Sequence, residues 1–573
     1  MKRIFLPACV LLALAAADAA AAQLEVLLEP PKKALRDNVA AYIGPLNGRD
    51  AAALRRFARS AEREAAQALQ ALGYYRASIR SEVASEGGKD ILRLRIVAGE
   101  PVRLRHVEIR VEGEAAGLAA LRLPDSPRLR PGARLDHGAY EDAKRLIRNQ
   151  AQRFGFFDGA FVAQELRVDP AAGVADIRLV YRSGPRYRLG AVAFSGKTPF
   201  DEALLRRLVP FKAGEPYDSD RLGALNQALV SSGYFADVQV EAPPERAAGQ
   251  VIPVLVRLQA RKPRTLAAGL GFSTDVGPRL RGTWTRHWRA PSGHRIGSDF
   301  EFSAPRQSLS GWYEIPLDPP LTDSLRFTGG YQHEDLLDTQ SRRLTLGSQW
   351  QHAPVGAWQR ILSLRWEQED YRSGSDTGRT RLLLPGIGFS RVQSDSKVDP
   401  SHGWRLQAEL VGAQRGLLSD ADLVHLDLQA KGLTSFAGGH RLLGRLQAGG
   451  IATNDFAAIP PSLRFFAGGD QSVRGYDYQN LSPRDSAGKR VGGRYLLVGS
   501  VEYQYPLAER WRLATFVDQG NAFDHLNDPL QTGVGIGLRW VSPVGPLRLD
   551  LAHALDDEQG SNFRIHFSMG PEL

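Results

Sequence analysis

Arg474 stands in the segment with the clearest chemical content of this 573-residue chain, Phe466-Ala467-Gly468-Gly469-Asp470-Gln471-Ser472-Val473-Arg474-Gly475-Tyr476. A guanidinium carries a rigid fork of donors that suits two carboxylates, and lysine does not replace it. Gly475 lets the backbone turn beside that fork and approach another surface closely. Acid-bearing and glycine-rich segments follow: Ser500-Val501-Glu502-Tyr503-Gln504-Tyr505-Pro506, Phe516-Val517-Asp518-Gln519-Gly520-Asn521-Ala522-Phe523, Gly533 to Trp540 and Ser542 to Asp550. The chemistry offered is ion pairing rather than turnover. No P-loop, H-E-x-x-H or G-x-S-x-G is found. His333-Glu334-Asp335 reads as a polar strand end, His402 and His553 stand alone, and Asp556-Asp557-Glu558 reads as a solvated loop. No enzyme, metal site or cofactor is expected.

The elements around this segment read as a barrel. From 263 to 573 helical periodicity is lost, glycine is frequent, and stretches of alternating polarity are separated by turn residues. Ser324 to His333, Arg342 to His352, Arg360 to Trp366, Trp404 to Val411 and His440 to Leu446 are examples. Such weak, repeated alternation is expected of membrane strands that face lipid and lumen in turn. Sixteen antiparallel strands are expected between Thr265 and Met569, the weakest between 294 and 334. All nine tryptophans, Trp284 to Trp540, fall in this half, as interfacial girdles require. One connection, about 452 to 493, is too long for a turn and holds Arg474; loops of that size are usually functional or disordered.

The first half carries a repeat. Leu72-Gly73-Tyr74-Tyr75, Phe154-Gly155-Phe156-Phe157 and Ser232-Gly233-Tyr234-Phe235 each end a helix, read at Ala51 to Leu72, Tyr140 to Arg153 and Asp220 to Val230. The glycine suits a left-handed residue just past the helix end. Two strands follow each helix and a further strand opens the next unit, so α+β units span 23–99, 100–185 and 186–262.

The remaining features concern compartment. Lys2 and Arg3, the apolar run Ile4 to Ala17 and Ala20-x-Ala22 read as a secretory signal peptide over 1–22. A lipoprotein signal using Cys9 is the alternative. Cys9 is the only cysteine, so disulfides are not expected after processing. Beyond the leader no run of 18 apolar residues exists, which leaves strands as the way to cross a membrane. The net charge of +10 invites a nucleic-acid reading. Its scatter along alternating strands and the export signal favour a solvated or headgroup-facing surface instead, with no nucleic acid.

The repeated units resemble the polypeptide-transport-associated (POTRA) domain. Val473-Arg474-Gly475-Tyr476 and the four ordered segments after it resemble the outer-membrane assembly-factor superfamily of POTRA-bearing barrels. That resemblance implies tandem POTRA domains in the periplasm, a 16-stranded transmembrane barrel in the Gram-negative outer membrane, and a long loop folded back into the lumen. It implies that Arg474 meets Glu502 and Asp518 on the inner wall. It also implies a weak lateral seam between the first strand (Gly269, Gly271) and the last (Phe563, Phe567), where client strands are templated. The ending Phe567 to Leu573 departs from the usual terminal aromatic. Three units, with Gln23 to Leu28 leaving no room for a plug helix, are most similar to the TamA branch. For that branch the implied partners are an inner-membrane-anchored TamB-like protein reached through the POTRA domains, autotransporter clients and outer-membrane lipids. A two-partner secretion transporter, a lipid-transport role and a passive pore are the alternatives.

Overall fold

The computed structural model describes residues 22–86, 89–354, 356–396, 399–542, 545–556 and 563–569. The leader expected at 1–22 lies outside these residues apart from Ala22. So do Cys9, Asp557, Glu558 and the ending from Gly570 to Leu573.

Three small sheets fill the first half, each with its last strand in the centre. In the first, Lys89–Val97 lies between Gln23–Glu29, parallel to it, and Ser78–Glu86, antiparallel. In the second, Val174–Arg182 lies between Arg103–Glu112 and Ala160–Asp169 in the same senses. The third orders Arg188–Ser195, Val251–Ala260 and Phe235–Glu241. Alternation sets the core. Leu92, Leu94 and Ile96 are buried on one face of their strand, against Leu54, Ala61, Ala65 and Leu69 of the helix Ala51–Ala71.

The helix ends are specified locally. Asp50 and Asp136 cap the starts of Ala51–Ala71 and His137–Arg153 by accepting from Ala53 N (2.7 Å) and Ala139 N (3.1 Å). Gly73, Gly155 and Gly233 follow the helix ends with φ of 86°, 83° and 71°, the left-handed geometry expected of them.

The second half is one sheet of sixteen strands, Arg264–Ser273 to Phe563–Met569, each hydrogen-bonded to its neighbours in chain order. The weak region resolves into three separate strands, Arg295–Ser303, Arg306–Pro316 and Asp323–Leu336. Among the described residues no helix is long and apolar enough to cross a membrane.

Burial in this half is inverted relative to a soluble domain. Leu344, Leu346, Leu362 and Leu364 are exposed, while Glu367 and Glu369 on the opposite face are buried. Only a solvent of hydrocarbon outside and polar groups within makes that pattern favourable. Two tryptophans depart from the girdle expectation. Trp312 lies on the polar face, donating to Asp299 at 3.2 Å and stacking under Arg326. Trp288 sits in the turn after Gly277–Arg286, edge-on to Phe200.

Candidate functional site

The long connection runs from the strand His440–Ala452 to the strand Tyr495–Ala508. Its two arms pair through Phe465 with Gly493 and Ala467 with Leu481. Arg464 binds them further, donating to Ile459 O at 2.8 Å and Val491 O at 2.9 Å. The tip then packs on the barrel's inner face. Val473 and Tyr476 are buried with Ile451, Leu496, Val498, Ala522 and Ala554. Tyr476 Oη donates toward Thr532 O at 3.3 Å. Apolar anchors on either side of Arg474 thus carry it inward.

There Arg474 meets the wall. Its Nε and Nη2 donate to the two oxygens of Asp518 at 2.7 and 2.9 Å, and its backbone N–H reaches the same carboxylate at 3.1 Å. Nη1 reaches Glu502 at 2.8 Å and Asp550 at 3.3 Å. The guanidinium lies 3.3 Å from the centroid of the Phe516 ring. Arg539 completes the network, gripping Glu502 at 2.7 and 2.9 Å and Asp550 at 2.6 Å. All five charged groups are under 10 % exposed. Removing one member of such a set leaves its partners buried and uncompensated, at a cost of about 3–5 kcal/mol.

The strands dictate this arrangement. Period-two alternation puts Ser500, Glu502, Phe516, Asp518, Arg539 and Asp550 on the inner face of four successive strands. Glycines on Gln531–Ser542 keep that face low enough for the loop. A Cβ on Gly533 would stand 1.9 Å from the Arg474 carbonyl oxygen, and one on Gly537 1.9 Å from Asp550. Gly475, at φ +97°, turns the loop backbone against Ala554 N, 3.0 Å from where a Cβ would stand.

The seam is the second feature. Among the described residues one backbone hydrogen bond crosses it, Thr274 N–H to Phe567 O at 3.3 Å. Phe567 N–H adds a bond to Thr274 Oγ1 at 3.2 Å, and Phe272 tilts against Phe567. Among the described residues no further backbone bond joins Arg264–Ser273 to the last strand, and its Leu266 and Leu270 are 76 % and 81 % exposed. A Cβ on Gly269 would meet nothing within 4 Å, whereas one on Gly271 would meet the Arg279 side chain. Phe563 stacks on His553 of the preceding strand.

The structure therefore brings Arg474, Glu502 and Asp518 together and places Phe567 at the seam, but leaves Gly269, Gly271 and Phe563 apart from its contact point. Sequence reasoning passed over Asp550, Arg539 and Phe516. The signal was present: all three share the alternation parity of the inner face. Among the described residues no cluster of metal-ligating side chains exists.

POTRA sheets ahead of a barrel whose lumen holds a loop arginine on a carboxylate wall define a class of membrane β-barrel with POTRA domains. The chain belongs to the Omp85 superfamily, whose profile, described as Omp85 superfamily domain, matches residues 264–572. A profile described as POTRA domain TamA domain 1 matches 25–98, and one described as surface antigen variable number repeat matches 187–257. The outer membrane protein assembly factor BamA of Nitratidesulfovibrio vulgaris is 27 % identical over 424 residues, 69 % of this chain and 53 % of that protein. BamA of Neorickettsia risticii is 23 % identical over 519 residues, 81 % of this chain and 65 % of that protein. The chain thus spans between half and two thirds of these relatives' length. The crystal structure of Haemophilus ducreyi BamA lacking POTRA domains 1–3 superposes with a TM-score of 0.70 at 14 % identity, covering 82 % of this chain and 99 % of that one. It supports the fold alone.

Proposed function

We propose that the protein is a non-enzymatic outer-membrane assembly and translocation factor. Its POTRA domains receive client chains in the periplasm and engage a TamB-like inner-membrane-anchored partner. Its barrel inserts autotransporter-type clients into the outer membrane by pairing a client strand with the free edge of Arg264–Ser273. The single observation that carries this reading is that, among the described residues, one backbone hydrogen bond joins that strand's end to the last strand. An unpaired row of N–H and C=O groups in lipid is costly, and a client strand relieves the cost. The TamA-type match over the first domain supports the choice of partner. The loop seated on the lumenal wall speaks against a passive pore.

The test is a lock. Thr274→Cys with Phe567→Cys places a disulfide at the seam's contact point, and the expected processed chain offers no competing thiol. Autotransporter assembly in cells should stop when the lock is oxidised and resume on reduction. Unchanged assembly in a fully locked barrel would move the reading to lipid transport or a scaffold.

A further inference from the structure

Among the described residues the seam has little strand pairing, and the long loop touches both of its sides. On the first-strand side, Asp470 donates its backbone N–H to Asp275 Oδ2 at 2.8 Å, in the turn between Arg264–Ser273 and Gly277–Arg286. On the last-strand side, Gly475 N–H donates to His566 Nε2 at 3.0 Å. Arg564 adds a bond to Gly475 O at 2.5 Å and an ion pair with Asp477 at 2.9 Å. We propose that this loop is a strap across the seam, clasped by Asp275 on one side and by His566 and Arg564 on the other. We further propose that the Asp275 clasp is proton-dependent. The proposal rests on the seam reading above and names what holds that seam shut.

The surroundings of Asp275 give the clasp its chemistry. Its side chain is 6 % exposed and accepts the Asp470 backbone N–H at 2.8 Å, which brings the Asp470 carboxyl close to its own. Two carboxyls in that contact cannot both be ionised cheaply. Burial first, and then the Asp470 carboxyl, push Asp275 up to about 8, so it holds a proton at neutral pH. The other titratable groups facing it are Asp477 and Tyr478 on the loop and His566 on the last strand. Because His566 accepts at Nε2, its neutral ring carries the hydrogen on Nδ1, 3.9 Å from Asp275 Oδ1. Asp477 is compensated by Arg564, while Lys431, Arg445 and Arg548 line the cavity beside Asp470.

The direction follows from linkage. The clasped state binds a proton that the released, solvated Asp275 gives up near its ordinary carboxylate value. Clasping is therefore strongest at low pH and weakens by up to about tenfold per pH unit as pH rises toward about 8, where it levels off.

Hydrogen exchange of the purified full-length protein in lipid nanodiscs tests this, from about pH 6 to about pH 9 with intrinsic exchange rates divided out. Peptides covering 468–477, 272–276 and 563–569 should lose protection together, by more than about tenfold. Asp275→Asn keeps the acceptor and mimics the protonated acid, so it should stay protected at every pH. Asp275→Ala should be unprotected throughout. A flat wild-type profile overturns the proposal. So does an Asp275→Asn profile that follows wild type, or a loop that loosens while the seam peptides do not. No client is present, so the seam's role in assembly stands or falls separately, on the disulfide lock.

Discussion

Arg474 and Asp518 form a two-point contact, Nε and Nη2 on the two carboxylate oxygens at 2.7 and 2.9 Å, across 44 residues of chain. Asp518 is fully buried and also accepts the Arg474 backbone N–H and the Ser500 hydroxyl. The contact therefore fixes the loop's orientation as well as its charge. A rotated loop would forfeit the backbone bond even if the guanidinium stayed in reach.

Arg474→Lys should behave as a loss and not as a conservative change. An ammonium cannot span both oxygens of Asp518 while reaching Glu502. We expect destabilisation of about 3–5 kcal/mol in urea unfolding from lipid vesicles. Asp518→Asn should cost a similar amount, and the double variant clearly less than the sum. Additive losses would show that the two residues do not act as a pair.

Gly533→Ala tests the low wall. The added methyl would overlap the Arg474 carbonyl, which is backbone and cannot swing aside. The loop should lift, with a cost of about 1–3 kcal/mol and new protease cleavage between 465 and 493. Wild-type resistance to cleavage would mean that the wall yields instead.

The legible parts of this chain were those fixed by local rules. The three helix-ending glycines and period-two alternation are properties of neighbouring residues, and the three helices those glycines close lie within three residues of the expected bounds. The helix Lys33–Ile43 is not in the sequence reading. It follows Pro30-Pro31, starts at an uncapped Lys32 and has no acid in its first turn. Its three buried residues, Leu35, Val39 and Ile43, hold it by packing, and Asn38 Nδ2 donates to Ala68 O at 2.7 Å. Arg539 and Asp550 were missed for a related reason. An inward residue is recognisable from alternation, but its partner is set by the register of strands. Asp275 and His566 come from opposite ends of the barrel, 291 residues apart, and no local pattern links them.

A pH effect of the opposite sign is expected in the first two POTRA domains. His137 starts the second domain's long helix and shares a 2.7 Å hydrogen bond with Tyr75 of the first. Burial holds the His137 imidazole below its ordinary value, so the folded state resists protonation. That stability is present above about pH 6.5 and lost as pH falls through the lowered value. Exchange protection around 72–76 and 135–140 should therefore fall between about pH 7.5 and about pH 5. His137→Gln should flatten the dependence; an unchanged profile would place the titrating group elsewhere.

The inverted burial of the barrel makes the last prediction. Leu364 is 47 % exposed on the outer face of Gln359–Ser373, and its neighbour Arg365 lies on the inner face. On a soluble domain an exposed leucine changed to arginine is nearly neutral. Facing hydrocarbon, the same change removes a charge from water, so Leu364→Arg should cost about 2–4 kcal/mol in vesicles if it lies near the bilayer midplane. Ser363→Arg, on the lumenal face, provides the control and should cost much less. Equal costs at the two positions would mean that the outer face does not meet lipid there, and the free strand edge would then lose the solvent that makes client pairing favourable.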